Sequence, residues 1–155
     1  MEDIFVAGVG MTKFGRHFDH SYKELAREAI EQALTDAGAS KADVKQAFFA
    51  SCVIGLMHDQ HMIPGHVALR SMGFEGIPIF NLEGACASAS TALHLAENAI
   101  RSGSCDIAIA VGVEKMNSPD KAKMFSAFDS AWDVETVSDN RDILLKMGEG
   151  VECPE

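Results

Sequence analysis

Cys86 has the neighbours most suited to a nucleophile, in the run Glu83-Gly84-Ala85-Cys86-Ala87-Ser88-Ala89-Ser90, where an apolar segment passes through a glycine into an alanine-rich one. A thiol opening a helix there faces the positive end of the helix dipole and backbone N–H groups, both of which favour its thiolate and any anion beside it. The pattern predicts a reactive cysteine at a strand-to-helix junction. The remaining cysteines, at 52, 105 and 153, form no CxxC pair and lack the spacing of a small secreted domain. This points to thiols rather than disulfides or structural zinc. Cys52 and Cys105 read as small buried core residues. His58, His61 and His66 stand three and five residues apart without a matching acidic or cysteine set, so they are expected in a loop rather than around a metal. His94 is eight residues past Cys86, about two helical turns, too far to touch that thiol. Gly8 and Gly10 lack the third glycine and prompt helix of a dinucleotide fingerprint.

A chain of 155 residues with 47% hydrophobic content is long enough for one domain with a sizeable core. The formal charge of −10 opposes binding to nucleic acid or to an anionic membrane, and no basic patch interleaved with aromatics offsets it. Without a signal-like N-terminus or an apolar run of about 20 residues, a cytoplasmic protein that neither crosses nor binds membranes is expected.

The elements that must position Cys86 are legible in the same way. Ile4 to Val9 reads as a first strand, ending in Gly8-Val9-Gly10 with a turn or close backbone approach behind it. Ser21 and Glu24 form a capping box, Leu25, Ala29, Ala33 and Ala37 recur at helical spacing, and Gly38 sits where a C-terminal cap belongs. Gln46 to Val53 reads as a second strand and Pro64 to Met72 as a shorter helix closed by Gly73. Ile77 to Leu82 makes a third strand, Cys86 to Ser102 a long helix with Gly103 beyond it, and Asp106 to Val113 a fourth strand. This β-α-β-α-β-α-β order, with strands apolar on both faces, predicts an α/β fold with a mostly parallel sheet covered by helices. The alanine-rich helix from Cys86 is expected to be central and mostly buried. From Asn117 to Asp142 the many Ser, Asp and Asn residues, with Phe125, Phe128 and Trp132 among them, suggest a loop or lid whose aromatics either line a pocket or hold the loop down.

The segment Asn81 to Met116 resembles the core of the thiolase superfamily, especially its sterol-carrier-protein-like, or lipid-transfer-protein-like, branch. Three parts carry the likeness: Cys86 followed by small residues and the Ser90-Thr91-Ala92-Leu93 run, the Ser102-Gly103 helix end, and the strand exit Gly112-Val113-Glu114-Lys115-Met116. The opening Val6 to Gly15 also resembles the first strand and loop of that branch, and Lys146-Met147-Gly148 weakly resembles its later Met-Gly motif. The resemblance implies a thiolase N-terminal β-α core over 1–116, the start of the loop region over 117–155, and a second catalytic half outside this chain. It implies Cys86 as acyl acceptor: the thiol attacks an acyl-CoA, CoA leaves, and the acyl group passes to a second acyl-CoA carbanion or back to CoA. No bound cofactor is implied; the coenzyme A thioester is substrate.

Family members are more than twice as long, and their second half supplies an activating histidine and a further cysteine and histidine. Those motifs do not occur here, and Cys153, in Glu152-Cys153-Pro154-Glu155, lacks the glycine-rich setting of the second cysteine. An N-terminal half of a longer polypeptide is expected, or else a split subunit. Two rival readings stand beside the thiolase: a ketoacyl synthase III-like condensing enzyme, against which the Gly112 to Met116 exit argues, and a non-catalytic acyl-CoA-binding or scaffold subunit, against which the retained cysteine argues. The resemblance also implies a homo-oligomer, a dimer or dimer of dimers with Ile77 to Leu82 near its symmetry mate, and allows a small zinc-ribbon and OB-fold partner protein.

Overall fold

Ser21 opens the first helix, α1 (Tyr22–Asp36), through the expected capping box: its hydroxyl accepts from the Glu24 N–H at 3.3 Å, while the Glu24 carboxylate accepts from the Ser21 N–H at 2.7 Å. These hydrogen bonds hold the Glu24 carboxyl below the usual carboxylate range. The computed structural model describes residues 3–150 and divides into two compact units, one up to Pro119 and one from Asp120.

In the first unit, α1 is followed by β1 (Gln46–Ala50), the short helix α2 (Ile54–His58), α3 (Pro64–Ser71), β2 (Ile79–Leu82), a 3-10 turn (Ala85–Ala87), α4 (Ser88–Arg101) and β3 (Ala108–Gly112). The three strands form one parallel sheet in the order β2-β1-β3, with Ala50 opposite both Leu82 and Gly112. Alternation along β1 explains why it is apolar from Ala47 to Ala50. Ala47 and Phe49 pack with Leu25, Ile30 and Leu69 from α1 and α3, whereas Phe48 and Ala50 pack with Ala92 and Ala96 of α4. The α/β expectation is met, with helices on both faces of the sheet. Helices α1, α3 and α4 end as anticipated, since Gly38, Gly73 and Gly103 all take positive φ just past them.

Several expectations need correction. Ile4 to Val9 forms no strand among the described residues, and Phe5, Val6 and Val9 are 80%, 73% and 67% exposed. Side chains of α1 take its backbone donors instead: the Val9 N–H donates to Asp36 Oδ2 at 2.9 Å and the Met11 N–H to Gln32 Oε1 at 3.1 Å. Gly8 and Gly10 lie directly against the α1 backbone at Ala29 and Ala33, where a Cβ would collide. The sheet therefore has three strands, each shorter than predicted. The helix after β2 becomes α-helical at Ser88 rather than at Cys86. It is not mostly buried either, because Ser88, Ala92 and Ala96 form a narrow stripe on the sheet while Ala89, Leu93 and His94 are exposed. Finally, the histidines do not share a loop: His58 ends α2, His66 lies in α3 and His61 stands between them.

The second unit contains two helices, α5 (Lys121–Asp129) and α6 (Val137–Met147), where a loop was expected. Asp120 supplies the missing start signal, its carboxylate accepting from the Lys123 N–H at 3.0 Å. No helix among the described residues is long and apolar enough to cross a membrane.

Helix α4 approaches β3 closely enough that a Cβ on Gly112 would stand 2.8 Å from Ala89 Cβ. Gly112→Ala is expected to destabilise the chain by about 1–3 kcal/mol, the usual cost of overpacking. Urea unfolding checks this as a lowered midpoint at unchanged slope; an unaltered midpoint would show that the α4–β3 contact gives way freely.

Candidate active site

Parallel pairing brings the carboxyl ends of all three strands to one rim. From there the chain leaves β1 towards α3 on one face and leaves β2 towards α4 on the other. Adjacent strands whose connections diverge in this way open a crevice between them, the common place for ligands in open α/β sheets. Ser51-Cys52-Val53 leaves β1 at that crevice and Glu83-Gly84-Ala85-Cys86 leaves β2. Both Cys52 and Cys86 are exposed, unpaired thiols.

The turn bearing Cys86 is tightly made. Ala85 takes φ +48°, a left-handed conformation that costs a non-glycine residue about 1–2 kcal/mol. Ser88, only 6% exposed, staples the turn: its hydroxyl accepts from the Gly84 N–H at 2.9 Å and donates to the Ala85 carbonyl at 2.7 Å. Glu83 adds a third tie, its carboxylate accepting from the Ala85 N–H at 2.6 Å. Cys86 thus lies inside the 3-10 turn, one residue short of the α4 N-cap, Ala87.

Cys52 is not the buried core thiol that was expected. The β1 ladder ends with the Ser51 N–H on the Leu82 carbonyl, and Glu114, just past β3, takes over the donors that follow. Its two oxygens accept from the Cys52 N–H at 2.7 Å and the Val53 N–H at 3.1 Å, with the Ser51 hydroxyl at 3.3 Å. The Glu114 carboxylate draws Cys52 out of the strand and onto the rim, where its thiol lies within reach of the Glu83 charge. Although solvent reaches the residue, partial desolvation pushes the Cys52 thiol above its ordinary pKa, and the charges of Glu83, Glu114 and the nearby Cys86 push it further. Cys105 lies before β3, on the other side of the sheet from this rim, and is buried as expected. Burial and then the Asp106 charge raise its pKa too. Cys153 lies outside the described residues.

The histidines are engaged elsewhere. His58 Nε2 is 2.9 Å from the Lys115 carbonyl oxygen, His66 Nδ1 is 2.9 Å from Asn81 Nδ2, and His94 Nε2 is 3.1 Å from Asn98 Nδ2. No group of three or more His, Cys, Asp or Glu side chains among the described residues is arranged to hold a metal ion. Within the second unit, Trp132 lines a hollow of about 180 Å³ with Asp129, Val137, Arg141 and Leu144, while Phe125 and Phe128 are exposed.

The arrangement is that of an exposed thiol on a strained strand-to-helix turn, on a rim that also carries a second exposed thiol and two carboxylates. The family model of the thiolase N-terminal domain matches residues 4–149. Sterol carrier protein 2 of Gallus gallus is 38% identical over 125 residues, covering 79% of this chain and 22% of that protein. An acetyl-CoA acetyltransferase of Methanothermobacter thermautotrophicus is 37% identical over 138 residues, covering 87% of this chain and 36% of the relative. In fold alone, the chain is similar to the crystal structure of 3-oxoacyl-[acyl-carrier-protein] synthase III from Aquifex aeolicus VF5, with a TM-score of 0.50 at 21% identity over 63% of this chain and 31% of that one. The chain therefore spans well under half the length of these relatives. With nearly all of its residues matched by that model and its three parallel strands layered between helices, the chain belongs to the thiolase family and corresponds to its N-terminal domain.

Proposed function

We propose that this chain is the acyl-accepting part of a CoA-dependent thiolase, with Cys86 as nucleophile. The observation that carries the reading is the exposed Cys86 thiol at the crevice between β1 and β2, on a turn that Ser88 and Glu83 hold in place. The Cys86 sulfur attacks the carbonyl carbon of an acyl-CoA. A bond from that sulfur to the acyl carbon forms, the bond to the CoA sulfur breaks, and CoA leaves as a thiolate that takes up a proton. One thioester replaces another, so the exchange stays near energetic balance and runs either way. The acyl group then passes to the carbanion of a second acyl-CoA, making a carbon–carbon bond, or returns to CoA in the reverse sense.

Each histidine at 58, 66 and 94 already has a hydrogen-bond partner away from the thiol. The activating histidine and second catalytic cysteine implied by the thiolase resemblance are assigned, within this proposal, to the second half that the resemblance places outside this chain. Self-association through the β2 edge and a small zinc-ribbon partner remain part of the same proposal. The position of β2 at one margin of the described sheet is compatible with the first.

Two measurements test the reading. Iodoacetamide at neutral pH is expected to alkylate Cys86 faster than Cys52 or Cys105, whose raised pKa values keep them protonated there. Cys52 labelling should climb only as the pH rises past the ordinary thiol range, because the thiolate is the reacting form. Equal rates at neutral pH would count against Cys86. Incubation with an acyl-CoA should add one acyl group, mapped to Cys86 and lost in Cys86→Ala. The chain alone should show no turnover of a 3-ketoacyl-CoA. Binding without an adduct would favour the scaffold reading, and robust turnover would refute the assignment of the bases to another segment.

A further inference from the structure

The final rung of the β1–β2 ladder runs from the Ser51 N–H to the Leu82 carbonyl at 3.1 Å, and strands so paired lie about 4.8 Å apart. Cys52 is the next residue along one chain. On the other, the turn at Gly84 and Ala85 brings Cys86 back to the same rim. The Glu83 carboxylate at the exit of β2 accepts from the Ala85 N–H at 2.6 Å, and the Glu114 carboxylate fixes the exit of β1 by accepting from the Cys52 N–H at 2.7 Å. Both cysteines are exposed, whereas Cys105 is buried before β3, off this rim. Disulfides need Cα atoms roughly 4.4–6.8 Å apart, a separation that neighbouring strand exits can provide. Cys52 has no place in the acyl-transfer chemistry above, yet Glu114 draws it out of β1 to this position.

We propose that Cys52 is a resolving thiol for Cys86, and that a peroxide converts the pair into a reversible disulfide. The Cys86 sulfur attacks the peroxide O–O bond, giving a sulfenic acid and releasing water from hydrogen peroxide. The Cys52 sulfur then attacks the sulfenic sulfur; the S–S bond forms and hydroxide leaves, taking the Cys52 proton as water. In sum, two thiols lose two electrons and two protons, and one hydrogen peroxide becomes two waters. A dithiol reductant restores both thiols by exchange. The bond spares Cys86 from irreversible oxidation to sulfinic acid and blocks it meanwhile. That this protects an acyl acceptor rests on the reading of Cys86 above; that the bond forms does not.

Trypsin places each cysteine on its own peptide: 46–70 for Cys52, 71–101 for Cys86, 102–115 for Cys105 and 147–155 for Cys153. The full chain is treated with hydrogen peroxide, remaining thiols are blocked with iodoacetamide, and the unreduced digest is mapped by mass spectrometry. The expected result is a linked 46–70/71–101 pair, two hydrogens lighter than its parts, within an intact mass of one chain and lost on dithiol treatment. Cys52→Ser should lose the link and carry sulfinic acid on Cys86. Overturning results are sulfinic Cys86 in the unmodified sequence without a link, pairing of Cys86 with Cys105 or Cys153, a bond between two copies, or the same preference for Cys52 in denaturant. A reduced sample incubated with acyl-CoA separates the two claims: a disulfide without an acyl adduct retains this proposal and rejects the acyl-acceptor reading.

Discussion

Because β1 pairs in parallel with both of its neighbours, the chain must cross back over the sheet after each strand, and its two crossovers take opposite faces. That constraint does more than bury an apolar strand. It places three strand exits on one rim and parts the first two, so that loops which would otherwise cover each other stand open. Position 86 is chemically interesting because of this topology. The same Ala-Cys-Ala turn on a strand whose crossover followed its neighbour's would be roofed over.

Short polar contacts then set the details. Glu114 ties the exit of β3 to that of β1, Glu83 ties the exit of β2 to Ala85 two residues on, and Ser88 closes that turn on itself. Two of the three are carboxylates, so the rim is acidic where a thiolate-favouring site would ordinarily be basic. The positive counterpart here is the start of α4, which lies beyond Cys86 rather than at it. Partial desolvation first, and then these acidic surroundings, raise the Cys52 pKa.

Much of this was legible in the sequence because the signals are local. Ser21 with Glu24, and the glycines after α1, α3 and α4, act through hydrogen bonds only a few residues long. The three strands of the sheet were visible as apolar runs for the same kind of reason. What misled the reading was long range. Ile4 to Val9 has the composition of a strand, yet a strand exists only with a partner, and its backbone donors go to Asp36 and Gln32 instead. Alanines along α4 suggested burial on all sides, although small residues require only one close neighbour. Cys52 was assigned to the core because nothing in its own vicinity announces that Glu114, 62 residues later, reaches its N–H. In the second unit, the polar composition hid two helices, of which α5 starts on a single aspartate cap and α6 has no side-chain cap to announce it.

Ala85 carries one more consequence. A residue held in the left-handed region is best glycine, asparagine or aspartate, takes alanine at modest cost, and penalises branched and bulky side chains more heavily. The backbone thereby acts as a filter on what can stand immediately before the sulfur. Open space on that flank is a by-product of torsional geometry, arising even if selection never acted on the fit of a guest molecule there.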